Sequence, residues 1–179
     1  MQLLSSLTPI ELAGQLVSLV ALVLCMLAFS SKRDDRLMKL LVSANIAFAL
    51  QFALFGSWAA SVLTLLVILR IVLARRYARN LKVMGFVLVA SLLATALTWR
   101  GPVDLFPLAA TFMGTVGMFM LRGIPMRLML AGAGSAWMLS SLVIGSVGGT
   151  LAEAVVVGVN LITVARMMMD KKRASEHSQ

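Results

Sequence analysis

Long apolar stretches, separated by short polar or glycine-containing connections, run through almost the whole chain. A transmembrane helix needs about 20 mainly apolar residues, within a range of about 17–25. By that measure the sequence predicts an all-α, polytopic membrane protein with seven spans. The predicted spans are residues 12–31, 37–55, 58–76, 83–99, 104–121, 128–144 and 151–169, followed by a polar tail at residues 170–179.

The composition supports a membrane protein and excludes two other classes. Of the 179 residues, 60% are hydrophobic and only 13% are charged. An ordinary soluble domain is about 45–50% apolar and about 25% charged, so a soluble globule of this length could not bury so much apolar surface. Disorder is excluded because it requires low hydrophobicity. The single cysteine, Cys25, excludes an intramolecular disulfide.

Basic residues collect on one side of the predicted membrane. The connections on the side of the N-terminus hold one basic residue, the opposite side holds fourteen, and Arg70 lies inside a span. The positive-inside rule then predicts a multi-pass protein of the bacterial inner membrane, with its N-terminus outside and its C-terminus in the cytoplasm. The excess of positive charge is expected to contact anionic lipid headgroups rather than nucleic acid.

The sequence also resembles itself at a shift of about ninety residues. Residues 55–57 fall on residues 144–146 at a shift of 89, and Arg70 falls on Asn160 at a shift of 90. This pattern predicts two three-helix units in the same orientation, with one inverting helix between them. The predicted units are residues 1–82 and 104–169, and the linker is residues 83–103 with its helix at 83–99.

Two resemblances follow from these patterns. The stretch LFGSWAA at residues 54–60, continuing to Ile68-Leu69-Arg70, resembles the YgjV family of small bacterial inner-membrane proteins of uncharacterised function, and so does the partner stretch at 144–153. The three-plus-one-plus-three topology resembles the SWEET sugar transporters and their PQ-loop relatives. That resemblance implies a substrate site between the two units, often with an asparagine on the third and seventh helices. Asn160 matches the seventh helix, and Arg70 stands at the corresponding place on the third.

Polar residues of four spans share one layer of the predicted bilayer. With a helical rise of about 1.5 Å per residue, Asn45, Arg70, Ser135, Trp137 and Asn160 lie roughly 9–13 Å from the cytoplasmic ends of their spans. One hypothesis makes this layer a substrate site, with Arg70 as the anchor of an anionic or polyhydroxyl ligand. The alternative is structural: Arg70 extends to the headgroups, the small polar groups join helices, and Trp137 packs in the bundle.

Two acidic residues are predicted to cap helices rather than to bind a ligand. Glu11 follows Thr8 and Glu153 follows Thr150 at the spacing of a capping box, in which each side chain bonds the other residue's backbone N–H.

Small residues at a spacing of four mark close helix contacts on two spans. They include Ala110 and Gly114 on the fifth span and Gly132, Ala136 and Ser140 on the sixth. This spacing is as compatible with packing inside the bundle as with a homo-oligomer.

The sequence contains none of the usual catalytic constellations. The only histidine, His177, lies in the tail, and there is no CxxC motif, no Walker-type loop and no pair of intramembrane carboxylates. We therefore expect no enzyme activity, no cofactor and no metal site. The leading hypothesis is a facilitative transporter of a small polar solute, and the alternative is a non-catalytic membrane subunit or scaffold. A polar cavity between the units would favour transport, whereas solid packing with an exposed groove of small residues would favour a scaffold.

Overall fold

The computed structural model describes residues 8–30 and 34–176. Lys32, Arg33 and His177, which the sequence analysis used, lie outside the described residues. The described chain forms α1 (Pro9–Ser30), α2 (Asp34–Leu54), α3 (Trp58–Arg76), α4 (Leu81–Thr98), α5 (Leu105–Met120), α6 (Gly123–Val143) and α7 (Val147–Glu176), with a short 3₁₀ helix at Pro102–Asp104 before α5.

The predicted all-helical membrane architecture is confirmed for the described residues. Six of the helices are long and apolar enough to cross a membrane, and the apolar part of α2, Lys39–Leu54, is shorter. Large apolar side chains on the outside of the bundle remain exposed, as at Leu97, which is 86% exposed. Such a surface suits hydrocarbon rather than water.

Two helices begin four or five residues earlier than the sequence predicted, and α1, α2 and α4 begin two or three residues earlier. α6 begins at Gly123 rather than at residue 128, and α7 begins at Val147 rather than at residue 151 and continues to Glu176. Gly123 has a φ of 64°, and Pro125 lies in the first turn, where the missing N–H has no helical acceptor. The proline therefore does not delay the helix, and the additional turns carry residues that the sequence analysis had placed in loops or at caps.

Six helices form a ring, and α4 lies outside it. Neighbours in the ring follow the order α1, α2, α3, α5, α6 and α7, and α7 packs against α1 to close it. α4 packs against α3 and α5. The order of neighbours is the same in α1–α3 as in α5–α7, while the internal repeat as a whole stays a prediction.

The turns before α3 and α7 have the same geometry. Gly56 and Gly145 have φ angles of 75° and 76°, which are natural for glycine. In each turn the glycine N–H donates to the carbonyl three residues back, at 2.9 and 3.1 Å, and the next serine N–H donates to the carbonyl five residues back, at 2.8 and 2.9 Å. Both helix ends are therefore closed by a Schellman-type arrangement, and a new helix begins two residues after each glycine.

We call the end of the bundle that holds these two turns the glycine-turn end. Hydrogen bonds there join helices of the two halves. The Gln15 side chain donates to the Gly145 carbonyl at 2.6 Å and accepts from the Val147 N–H at 3.2 Å. The Ser146 hydroxyl donates to the Gln51 side chain at 3.0 Å. The opposite end, here called the basic end, carries a cluster of positive side chains: Arg75, Arg76, Arg79, Lys82 and Arg122.

Candidate functional site: a central cavity

A cavity of about 240 Å³ lies inside the ring. Its wall is formed by residues of α1, α2, α3, α6 and α7. Six polar side chains line it: Asn45, Thr64, Arg70, Arg127, Glu153 and Asn160. Much of the remaining wall is apolar and aromatic, and it includes Cys25, Phe48, Phe52 and Trp137. Polar groups that converge in a mostly apolar cavity are typical of a ligand site.

Helical periodicity explains which residues reach the cavity. On α7 they are Glu153, Val156 and Asn160, and on α6 they include Arg127, Leu130, Gly134 and Trp137. Steps of three and four residues return a helix to the same face. Each helix therefore turns one stripe inward and leaves the rest of its surface to neighbouring helices or lipid.

Arg70 lies within the bundle, although it could have extended to the surface. Only 7% of the residue is exposed. Its Nη1 donates one long hydrogen bond, 3.4 Å, to the Thr111 carbonyl of α5, and its buried Nε has no acceptor among the residues that the structure describes. An ionised group in a membrane span normally faces the interior of a bundle or a water-filled cavity, as Arg70 does here.

Gly114 provides the space that the Arg70 guanidinium occupies. A Cβ atom at this position would fall 2.9 Å from Cζ of Arg70 and 3.1 Å from its Nη2. Gly114 thus faces α3 inside the bundle, and Ala110, one turn earlier on α5, is fully buried. This stripe brings a charged side chain close to the α5 backbone.

The helix-capping prediction for Glu153 is wrong. Because α7 begins at Val147, Glu153 lies in the second turn rather than the first. The Thr150 hydroxyl instead donates to the Ser146 carbonyl at 2.7 Å. The turn at Gly145 sets the start of the helix, so the Thr-x-x-Glu spacing at 150–153 has no free helix end to cap.

The same spacing does form a capping box at the start of α1. The Thr8 N–H donates to Oε2 of Glu11 at 2.8 Å, and the Glu11 N–H donates to the Thr8 hydroxyl at 3.3 Å. Pro9 occupies the first helical position, where its missing N–H costs nothing.

Glu153 faces the cavity and interacts electrostatically with Arg70. No hydrogen bond joins the two among the described residues, and both side chains line the cavity. The carboxylate lies beside Gly134, where a Cβ would be 3.5 Å from Oε2 of Glu153. The cavity wall thus carries a carboxylate and a guanidinium that are not directly bonded to each other.

Asn160 and Arg127 form the second polar pair of the cavity. Nη1 of Arg127 donates to Oδ1 of Asn160 over 3.4 Å, a long distance for such a bond. The amide nitrogens of Asn160 and Asn45 each donate, at 2.8 Å, to the carbonyl four residues back on their own helix. The amides are thereby held in place, and the guanidinium of Arg127 is only weakly engaged.

Of the five residues predicted for the substrate site, four line this cavity and one does not. Arg70, Asn45, Asn160 and Trp137 line it. Ser135 shares their depth, but it is not among the lining residues, and its hydroxyl donates to the Ala131 carbonyl of its own helix at 3.0 Å. The Trp137 ring packs on Phe52 with centroids 5.6 Å apart, and both rings line the cavity.

Two cavity residues, Arg127 and Glu153, are not predicted as site residues by the sequence pattern. The pattern places Arg127 in a basic connection and Glu153 at a helix cap. Both errors come from setting the starts of α6 and α7 four or five residues too late. The shift of 89 residues between the two halves contains the information that places Glu153. At this shift Trp58, the first residue of α3, aligns with Val147, so α7 is expected to begin at Val147 and Glu153 to lie inside the helix. Among the described residues, no three His, Cys, Asp or Glu side chains come together as a metal site would require.

The packing of Arg70 on Gly114 leads to a prediction about stability. We expect Gly114→Ala to lower the free energy of unfolding by about 1–3 kcal/mol, because the added methyl group overpacks the guanidinium. Thermal unfolding of the purified protein in detergent measures this. Gly85→Ala is the matched control, since nothing lies within 4 Å of a Cβ there. Combining Gly114→Ala with Arg70→Ala should recover part of the loss, and strictly additive effects of the two changes would contradict the contact.

Comparison with known proteins gives a family but no solved relative. A family model described as a bacterial inner membrane protein, Imp-YgjV, matches residues 12–171. The chain is 25% identical over 160 residues to the inner membrane protein YgjV of Escherichia coli strain K12, which covers 89% of this chain and 87% of that protein. No solved structure matches.

Proposed function

The chain belongs to the Imp-YgjV family of bacterial inner membrane proteins, and we propose that it moves a small polar solute across that membrane by alternating access around the central cavity. One observation carries this proposal. Polar side chains from α2 and α3 face polar side chains from α6 and α7 in one cavity. A site shared between two structural units is what transport by rocking of one unit against the other requires.

The conformation described here fits a carrier that is closed at the glycine-turn end. The Phe52 and Trp137 rings and the Gln51–Ser146 hydrogen bond join the two halves between the cavity and that end. Opening would break these contacts while leaving the helices intact. Four side chains in this region are fully or almost fully buried: Gln51, Ser140, Ser141 and Ser146. Within the described part of the chain, three of their polar atoms have no hydrogen-bond partner, namely Nε2 of Gln51 and the hydroxyls of Ser140 and Ser141. Unpaired buried groups weaken such a seal.

A scaffold receives less support from the same features. The predicted sign of a scaffold was solid packing with an exposed groove of small residues. Ala110 is buried inside the bundle, Gly114 packs against Arg70 of α3, and the centre of the ring holds a cavity. These observations favour transport, and we propose no catalytic step and no cofactor.

The proposed orientation places the basic end in the cytoplasm, next to anionic lipid headgroups. A phosphatase that folds only in the periplasm, fused after Gln179, should therefore be inactive, and the same fusion after Gly56 should be active. Enzyme activity in intact cells measures both, with immunoblots to equalise expression. Activity of the C-terminal fusion alone would reverse the proposed orientation.

Solute release from proteoliposomes tests the proposed function. Vesicles that contain the purified protein would be loaded with a mixture of small polar solutes, and the contents would be followed by mass spectrometry. We expect at least one solute to leave faster than from protein-free vesicles. Equal release of every solute from both preparations, with the protein shown to be folded and inserted, would count against transport.

A further inference from the structure

The charged groups of the cavity do not balance. Among the described lining residues, Arg70 of α3 and Arg127 of α6 contribute two positive charges and Glu153 of α7 contributes one negative charge, so their formal net charge is +1. The other polar lining groups, on Asn45, Thr64 and Asn160, are neutral. An uncompensated charge inside a membrane protein is costly, and a bound counter-charge removes that cost.

Both guanidiniums have donor capacity to spare. A guanidinium offers five N–H donors. Among the described residues, Arg70 has one hydrogen bond and Arg127 has one, each 3.4 Å long. Nε of Arg70 has no partner, and only 7% of this residue is exposed. A planar oxyanion is the ligand that such free, fork-shaped donors bind best.

The rest of the wall limits the size and character of the ligand. The volume of about 240 Å³ lies below the roughly 300–1,000 Å³ of sites for drug-sized molecules. Phe48, Phe52 and Trp137 supply an aromatic surface on the side of the glycine-turn end. A small molecule with one anionic group and a short apolar part would match both halves of this wall.

We propose that the cavity selects a small organic monoanion, whose oxyanion group lies between Arg70 and Arg127 and whose apolar part lies against Phe52 and Trp137. This inference rests on the proposed function of the cavity as a solute site. Glu153 offsets one of the two positive charges and so sets the selectivity for one negative charge rather than two. A dianion would leave an excess negative charge, and a neutral molecule would leave Arg127 uncompensated.

Direct binding tests this selectivity without requiring transport. The purified protein in detergent would be titrated with butyrate, with its neutral counterpart butanamide, with the dianion succinate and with chloride, and binding would be measured by calorimetry and by the rise in Tm. We expect butyrate to bind at least tenfold more tightly than butanamide, chloride and succinate. Equal affinity for butyrate and butanamide would overturn the proposal, as would the absence of binding by every carboxylate from acetate to hexanoate. Chloride binding as tight as butyrate would show a site for simple anions and would also overturn it.

Charge variants sharpen the test. Arg127→Gln should weaken butyrate binding at least tenfold. Arg166→Gln is the matched control, because Arg166 is exposed and lies outside the cavity, and it should leave butyrate binding unchanged. Glu153→Gln raises the net charge of the cavity to +2 and should shift the preference from butyrate toward succinate. If Arg127→Gln fails to fold, Arg127→Lys and Glu153→Gln still decide the question. Glu153→Gln with an unchanged preference would contradict the role of Glu153.

Transport and selectivity can fail separately. Tight butyrate binding without any release from vesicles would remove the transport proposal and keep the anion site. Release of neutral solutes only, without carboxylate binding, would do the reverse.

Discussion

Arg70→Lys should slow solute release from proteoliposomes at least tenfold, although the positive charge is retained. Lysine presents a compact ammonium with three donors, whereas the guanidinium of Arg70 is planar and fits flat in the space left by Gly114. The substitution would lose the contact with the Thr111 carbonyl and the fork-shaped set of donors of a residue that lines the cavity. A loss of this size corresponds to about 1.4 kcal/mol or more.

Arg75→Lys is the matched control for that experiment. Arg75 lies on the same helix, but it is exposed at the basic end and is absent from the cavity wall. We expect its release rate to equal that of the unchanged protein. If Arg70→Lys were as active as Arg75→Lys, Arg70 would serve only as a positive charge, and a site built on guanidinium geometry would be wrong.

Gly148→Ala should destabilise the protein more than Gly114→Ala does. A Cβ at this position would fall 2.5 Å from the backbone carbonyl carbon of Ser18 and would also collide with its hydroxyl. Since backbone cannot swing away as a long side chain can, α1 and α7 would have to separate. The Gly148 N–H now donates to the Ser18 hydroxyl at 3.2 Å, and this bond would be lost as well. We expect a cost of about 3 kcal/mol or more.

Thermal unfolding in detergent, with Gly158→Ala as the control on the same helix, measures this effect. Nothing lies within 4 Å of a Cβ at Gly158, so that variant should be neutral or slightly stabilised, as expected when alanine replaces glycine inside a helix. We expect the Tm of Gly148→Ala to fall by at least roughly 5 °C. An unchanged Tm would mean that α1 and α7 do not close the ring at Ser18.

The architecture could be predicted from the sequence because lipid imposes simple requirements on it. A span must be long, apolar and helical, and its flanks record the two sides of the membrane by charge. α3 was predicted with the bounds that it has, Trp58–Arg76, because Gly56-Ser57 marks its start and a run of basic residues marks its end. α7 was not, because Val147 to Thr150 contain two glycines that were interpreted as part of the turn.

The site was only partly predictable because depth along a helix does not determine its face. Asn45, Arg70 and Asn160 were identified from depth, and each also happens to lie on the inward stripe. Ser135 has the right depth and the wrong face. Gly114 shows a further limit of sequence-based prediction. Its spacing with Ala110 indicated a close helix contact but not the partner. The partner is the Arg70 guanidinium, and it depends on the packing of α3 against α5, which no local pattern records.

Cysteine accessibility from both sides of the membrane tests alternating access most directly. Cys25, which lines the cavity, would first be replaced by serine, and Asn45→Cys, also in the wall, would then be treated with a membrane-impermeant methanethiosulfonate from each side in turn. Ile46→Cys is the control, because Ile46 is 54% exposed on the lipid-facing surface, where a thiol does not ionise. We predict that Asn45→Cys reacts from both sides, more slowly once butyrate is added, and that Ile46→Cys reacts from neither. An Asn45→Cys thiol that is inert from both sides, or that reacts from one side only under every condition, would contradict a carrier built around this cavity.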